Sequence, residues 1–371
     1  MSRPIRAYID ADAARHNLQR VRAMAGQSKV MAVVKANGYG HGVERIAKAL
    51  SEADAFAVAS IDEALELRRA AIDHPIVLLE GVFTYEEFLL VAQERLGVVL
   101  HSWQQLEMLE AAQLSQPIVI WLKIDTGMHR LGFSPDEVDA VWQRLHALSD
   151  RIASVGLMTH FAAADEVNST LTELQLSRFN AVRQSLPALL PTSMANSAAI
   201  VHFTQAHGDW VRPGVMLYGV SPCTLSADDL GLCPVMTLVS RVIAVKTVLA
   251  GECIGYGGRW CVPTDTRIAI VAVGYGDGYP RHAPSGTQVL VNGSLAPLVG
   301  RVSMDMITID ISDLGDVQVD DPVVLWGVGL PVEQLALQAG TIAYELLCGV
   351  TKRVPCIEGR PESEWFMARP R

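Results

Sequence analysis

The chain has 371 residues, 50% of them hydrophobic and 19% charged, with a formal net charge of -10. At roughly 100–200 residues per domain that length suits two or three domains, and the composition excludes a disordered polymer. The acidic balance argues against a nucleic-acid binder, which presents a basic surface.

The early strand IRAYID, over about 5–10, precedes the first clear βα unit and is a candidate member of a later β-rich domain. From there to about residue 220 one unit repeats: a short apolar strand, a capping residue, then an amphipathic helix. Ser60 with Glu63, Thr84 with Glu87, Ser102 with Gln105 and Ser134 with Glu137 each fit the S/T-x-x-E/Q capping box, in which side chains satisfy orphan helix N–H groups. Pro135 then falls at the first helical position, ahead of a Val138, Val141, Trp142, Leu145 stripe at helical spacing. Strands that are apolar throughout, such as VMAVV, FAVA, IVLL and IVIWL, suit a parallel sheet covered on both faces. Candidate strands begin near residues 30, 56, 76, 97, 117, 153, 192 and 210. Eight such units predict a closed (β/α)8 TIM barrel, with a doubly wound open sheet as the alternative that periodicity leaves open.

Near residue 231 the texture changes. VMTLVSRVIAVKTVL, RIAIVAVGYG and QVLVNGSLAPLVG read as long β stretches, and Asn292-Gly293 between apolar runs is a strong hairpin signal. Capped helices are scarce until EQLALQAGTIAYELL near the end. The predicted division is a barrel over 1–231 and a C-terminal, mostly β domain over 232–371.

No apolar run approaches the roughly 18–20 residues of a membrane span, and MSRPIRAYID lacks the apolar core of a secretory signal. The expected location is the cytoplasm, with no membrane and no nucleic-acid partner. The six cysteines all follow residue 220, form no C-x-x-C pair, and read as free thiols of a reducing compartment. No metal site is expected.

The sharpest local feature is AVVKANGYGHG, residues 32–42. It places Lys35 at the C-terminal end of the first barrel strand, on the face where such barrels do their chemistry. Partial desolvation there lowers an amine's pKa, as Schiff-base chemistry requires. The glycines after it permit close backbone approach to a ligand.

AVVKANGYGHG strongly resembles the pyridoxal-phosphate lysine motif of bacterial alanine racemases. KIDTGMHRLGF, LMTHF, NSAA, VRPGVMLYG, GYGGRW, GYGDGYPR, GRVSMDM and AYELL follow in that family's order, across almost the whole chain. The resemblance implies a barrel followed by a β domain, pyridoxal 5'-phosphate as cofactor, and interconversion of L- and D-alanine. It further implies a homodimer whose active sites lie between the barrel of one subunit and the β domain of the other. Lys35 would hold the cofactor as a Schiff base and be the base on the D-alanine side. Tyr256 would be the opposing base, from the partner subunit. Two bases are what the chemistry asks for, because racemisation removes a proton from one face of a planar carbanion and returns one to the other.

By the same resemblance Arg212 pairs with the pyridine nitrogen, donating a hydrogen bond without protonating it, and His160 fixes Arg212. The backbone of Gly214 and Val215, with Ser197 and the hydroxyls of Tyr39 and Tyr344, would hold the phosphate. Asn196 would support them. Read from its residues alone, Ser197 is a helix N-cap. Arg130 and the backbone N–H of Met304 would hold the substrate carboxylate. Lys123 is a position often carbamylated in the family, and the resulting anion would orient Arg130. Tyr275, Asp305 and Tyr344 would line a narrow entrance suited to a methyl side chain. Two rivals differ in class or scope: a pyridoxal-phosphate-binding barrel protein of homeostatic function, which would lack the second domain, and a racemase of broader specificity, whose relatives are often exported.

Overall fold

The computed structural model describes residues 3–187 and 189–366. Contacts within the chain divide it into two units, one of Met1–Ala14, Tyr218–Val220 and Leu232–Arg371, the other of Arg15–Leu217 and Ser221–Gly231. The division therefore differs from a single cut at 231 by handing the first residues and a short piece near 218–220 to the β unit.

Strand β1 (Arg6–Ile9) belongs to the β unit: it pairs antiparallel with β10 (Met236–Val248) and parallel with β18 (Cys356–Glu358). The barrel unit is built from β2 (Lys29–Val33), β3 (Ala55–Val58), β4 (Ile76–Leu78), β5 (Gly97–Leu100), β6 (Ile118–Lys123), β7 (Ile152–Met158), β8 (Thr192–Asn196) and β9 (Trp210–Arg212). These strands are parallel and form a closed barrel, with β9 pairing back to β2 through Lys29 opposite Trp210 and Val30 opposite Val211. Closure excludes the open sheet. The cause lies in the strand residues: β3, β4 and β5 are buried at every position, as strands covered by helices outside and packed side chains inside must be.

The helix starts are less regular than their sequences suggest. Ser102 Oγ accepts from the Gln105 N–H at 3.3 Å, whereas Ser60 and Thr84 make no side-chain cap bond. The acidic or amide partners instead reach one residue further back. Glu63 accepts from Ala59 N, Glu87 from Phe83 N and Gln105 from His101 N. Each side chain thus satisfies an N–H just ahead of the cap, which fixes the turn entering the helix. Glu137 folds back onto both the N–H and the hydroxyl of Ser134, so Pro135 lies in a turn and the helix starts at Val138.

In the β unit, β10 is the spine. Its first residues pair with β1, Leu238–Arg241 with β17 (Pro322–Trp326), and its last with β13 (Thr266–Val271), whose ladder is irregular between Val242 and Ala244. The hairpin of β14 (Gln288–Val291) and β15 (Ser294–Pro297) turns at Asn292 and Gly293, both at positive φ (51° and 77°), as a two-residue primed turn requires. Strand β16 (Ile307–Asp310) completes the sheet beside β13. Val239, Leu290, Val324, Leu330 and Trp365 form a core cluster that Tyr8 and Phe366 cover. The expected C-terminal helix is two helices, Val332–Ala339 and Ala343–Cys348, because Gly340 at φ 68° ends the first.

One expectation is corrected. Cys253 and Cys261 are not free thiols but form a disulfide across β11 (Cys253–Ile254) and β12 (Trp260–Cys261). The antiparallel register sets the two residues directly opposite one another, a closeness that the eight-residue spacing does not announce. Among the described residues no helix is long and apolar enough to cross a membrane.

Candidate active site

Five barrel strands deliver chemistry-bearing residues to one end. Lys35 lies just beyond β2, Lys123 ends β6, His160 lies just beyond β7, Asn196 ends β8 and Arg212 ends β9. All are C-terminal strand ends, which in a closed parallel barrel share one face.

The segment after Lys35 has an unusual backbone. Ala36, Asn37, Gly38, Tyr39 and Gly40 all have φ between 50° and 83°, a left-handed turn in which three members are not glycine. Such residues cost roughly 1–2 kcal/mol each outside glycine, and persist where surrounding bonds over-determine them. Here Gly38 N–H donates to Val34 O at 2.9 Å, Gly40 N–H to Ala36 O at 3.0 Å and Gly42 N–H to Asn37 O at 2.9 Å. The Ala36 N–H donates to Glu63 Oε1 at 2.6 Å. Tyr39, carried inward by this turn, is buried. Its hydroxyl would lie 2.7 Å from a Cβ on residue 214, so the glycine there lets that oxygen approach the backbone closely.

Arg212 is only 4% exposed. Its Nη1 donates to Ser193 Oγ at 2.7 Å, and its Nη2 to Thr159 O at 2.6 Å, to Met194 O at 3.2 Å and to His160 Nδ1 at 3.3 Å. Nε makes none of these bonds. Burial pulls the guanidinium down to about 10, which leaves it charged at neutral pH. Lys123 is 8% exposed, and burial, then the charges of Arg212, Arg130 and Lys35, pull its amine down to about 8. His160 is held well below the ordinary imidazole value by burial, then by Arg212, Arg130, Lys123 and Lys35, so it is neutral. These shared perturbations mark Lys35, Lys123, Arg130, His160 and Arg212 as one electrostatic cluster with a surplus of positive charge.

The phosphate-loop candidates differ from expectation in one respect. The cap of the helix Ser197–His202 is Asn196, whose Oδ1 accepts from Ala199 N–H at 3.0 Å, and Ser197 is the first helical residue. Its Oγ accepts from Gly214 N–H at 2.8 Å, which ties the two loops together. Val215 opens the short turn that follows, Val215–Tyr218.

In the β unit, Tyr256 sits between β11 and β12 and is 69% exposed. The disulfide of Cys253 and Cys261 closes the base of its loop. Tyr275 and Met304 are built as a pair: Tyr275 N–H donates to Ser303 O at 3.1 Å and Gly276 N–H to Met304 O at 2.9 Å. Asp305 is ion-paired with Arg353 at 2.5 Å. Tyr344 is on the second C-terminal helix and is partly exposed.

Residues 9–222 match the family described as "Alanine racemase, N-terminal domain", and residues 235–358 match "Alanine racemase, C-terminal domain". The chain belongs to the alanine racemase family. An alanine racemase of Coxiella burnetii (strain RSA 493 / Nine Mile phase I) is 49% identical over 358 residues, covering 95% of this chain and 98% of its own length. One from Nitrosococcus oceani is 52% identical over 350 residues, covering 94% and 98%. The crystal structure of the biosynthetic alanine racemase of Pseudomonas aeruginosa superposes with a TM-score of 0.94 at 47% identity, covering 96% of this chain and all of that one (100%). The match over the second domain, 235–358, disfavours a barrel-only pyridoxal-phosphate binder.

Several residues of this racemase fold escaped the sequence reading. Ser193 and Thr159 clamp Arg212. Gln175 donates to His160 O at 3.0 Å and to Thr126 Oγ1 at 3.2 Å, and accepts from Ala162 N–H at 2.9 Å, joining the loops after β6 and β7. A signal for it exists: Gln175 stands on the buried stripe of Leu176, Phe179 and Val182 in its helix, a polar residue at an apolar position. Asp277 escaped as well, although GYGDGYPR contains it.

Proposed function

We propose that this chain interconverts L- and D-alanine with pyridoxal 5'-phosphate as cofactor, as a cytoplasmic homodimer, supplying D-alanine for peptidoglycan or consuming it. The observation that carries this is the Arg212–His160 pair at 3.3 Å, within a cluster of cations that also perturbs Lys123. The donor set fits the cofactor: an amine on Lys35 for its aldehyde, an oriented arginine for its ring, and the Tyr39 hydroxyl held close against Gly214 for its phosphate. When bound, pyridoxal phosphate supplies an electron-withdrawing ring that acidifies the alanine Cα–H.

Each residue then has a task. Lys35 Nζ holds the cofactor and, once released, moves a proton at alanine Cα on one face. Tyr256 Oη, from the partner subunit, moves the proton on the other. A free phenol has a pKa of roughly 10, so neighbouring positive charge has to favour its ionised form. Arg212 presents Nε to the ring nitrogen while Ser193, Thr159, Met194 and His160 hold its two Nη atoms. A group with this pKa donates a hydrogen bond and keeps its proton, which restrains the ring as an electron sink and limits side reactions. Tyr39, Tyr344, Ser197, Gly214 and Val215 bind the phosphate, and Asn196 supports them by capping the helix that Ser197 opens.

Arg130 and the Met304 N–H bind the alanine carboxylate. Tyr275 and Asp305 narrow the approach to it. Lys123, lowered to about 8, has the neutral amine fraction that addition to CO2 requires; the N–C bond forms, a proton leaves, and the product anion orients Arg130.

The test is optical rotation of L- or D-alanine incubated with the protein and added pyridoxal phosphate, alongside a panel of other amino acids. Lys35→Ala should lose both cofactor absorbance and racemisation. Tyr256→Phe should keep the cofactor and lose racemisation. Full activity in the Lys35 variant, or no turnover of alanine by the intact protein, would overturn the reading.

A further inference from the structure

His41 is the last residue but one of the motif around Lys35, and none of the roles above uses it. The side chain is fully buried, at 0% exposure. Its Nδ1 stands 3.0 Å from Gly38 O and 2.8 Å from Tyr39 O. Both partners are carbonyl oxygens, which only accept, so Nδ1 carries a proton and donates to the two of them. Burial pulls the imidazole down to about 4, against the help of those carbonyls, and the charge of Arg45 acts in the same direction as burial. Arg45 is itself held by the loop, its Nη1 donating to His41 O at 2.8 Å.

The two carbonyls belong to the left-handed turn. Gly38 and Tyr39 have φ of 59° and 50°, and Tyr39 is the last non-glycine residue in the run. In an ordinary loop a tyrosine would relax out of this conformation. One end of Tyr39 is thus held by the His41 ring at its carbonyl, and the other places its hydroxyl beside Gly214.

We propose that His41 is a positioning residue: its Nδ1–H holds the left-handed turn at Gly38 and Tyr39 and so aims the Tyr39 hydroxyl at the cofactor's phosphate. This rests on the pyridoxal-phosphate reading above. It acts through Tyr39 and touches neither substrate nor cofactor.

The experiment measures equilibrium binding of pyridoxal phosphate and of pyridoxal, which lacks the phosphate, to cofactor-free protein. His41→Leu removes the donor. His41→Asn keeps an N–H close to the position of Nδ1. Losing the aim of one hydrogen bond should weaken pyridoxal phosphate about tenfold in His41→Leu. Pyridoxal binding should be unchanged, and His41→Asn should recover most of the affinity. Tyr39→Phe should produce the same loss, and the double variant no further one. If His41→Leu does not fold, His41→Gln, with its amide one methylene further out, is compared with His41→Asn and should be the weaker binder of pyridoxal phosphate alone.

Equal weakening of both ligands, or additive losses with Tyr39→Phe, would overturn the inference and leave the function reading intact. Failure of the unsubstituted protein to take up pyridoxal phosphate would overturn both.

Discussion

Arg212 Nη2 donates to His160 Nδ1 at 3.3 Å, which places the imidazole's single proton on Nε2. Burial and the cations around it keep that imidazole neutral. Arg212→Gln removes one of the charges that hold His160 down. Histidine-labelled NMR should show the Nε2–H tautomer in the parent protein and a His160 pKa shifted upward in the variant, though still below 6.5 because burial remains. The substitution also strands the carbonyls of Thr159 and Met194, so stability should fall by about 2–4 kcal/mol in urea unfolding.

Lys123 carries a pH signature. Its pKa is about 8 in the folded chain against 10.5 for the free side chain. Between those values the unfolded chain binds more protons, so stability rises with pH across that window. Below about 8 the burial penalty is present in full. In CO2-free buffer Lys123→Met should therefore stabilise the cofactor-free protein at pH 7 by about 1–3 kcal/mol, and the gain should fade as pH rises through 8 to 10.5. Denaturation midpoints across that range measure it. The same variant should lose racemisation if Lys123 orients Arg130.

Gly214→Ala tests the close approach of Tyr39. The new Cβ would meet the Tyr39 hydroxyl at 2.7 Å and its ring carbon at 3.4 Å. Only the end of that side chain has to move, so the melting temperature should shift little, by under about 1 kcal/mol of stability. Pyridoxal phosphate should bind about tenfold more weakly. Adding Tyr39→Phe should restore stability without restoring affinity.

Asp277 is the buried joint of the β unit. Its side chain is wholly buried, accepting from Arg3 Nη2 at 2.7 Å and Gly274 N–H at 3.0 Å, with Arg353 Nε 3.5 Å away. Asp277→Asn leaves two partly exposed guanidinium groups against a neutral amide, and losing the charged hydrogen bond should cost about 1–3 kcal/mol. The amides of Tyr275 and Gly276, which bond to Ser303 O and Met304 O, should then exchange hydrogen faster. The Michaelis constant for alanine should rise, because Gly276 of that turn holds the Met304 carbonyl.

Order along the chain by itself determined the repeated βα units. Eight apolar segments at βα spacing call for a parallel sheet covered by helices, and the Asn292-Gly293 turn declares its hairpin because only certain residues accept φ 51° and 77° in succession; that the sheet closes was decided by the pairing of β9 back onto β2. Lys35 was legible as a strand-end lysine followed by glycines, whereas Arg212 was picked out only by the resemblance of VRPGVMLYG to the family's motif.

Tertiary structure decided what depends on residues far apart in sequence. Ser193 and Thr159 come to Arg212 from different strands, Gln175 reaches two loops from its helix, and Cys253 meets Cys261 only because a two-stranded register places them opposite. The capping residues show the same limit at short range, since the glutamates chose the N–H before the cap once the loops had taken their path. A motif names the groups that are present. Which carbonyl, cation or hydroxyl each one faces is set by packing, and here that packing made His160 neutral, brought Lys123 to about 8 and turned Tyr39 toward Gly214.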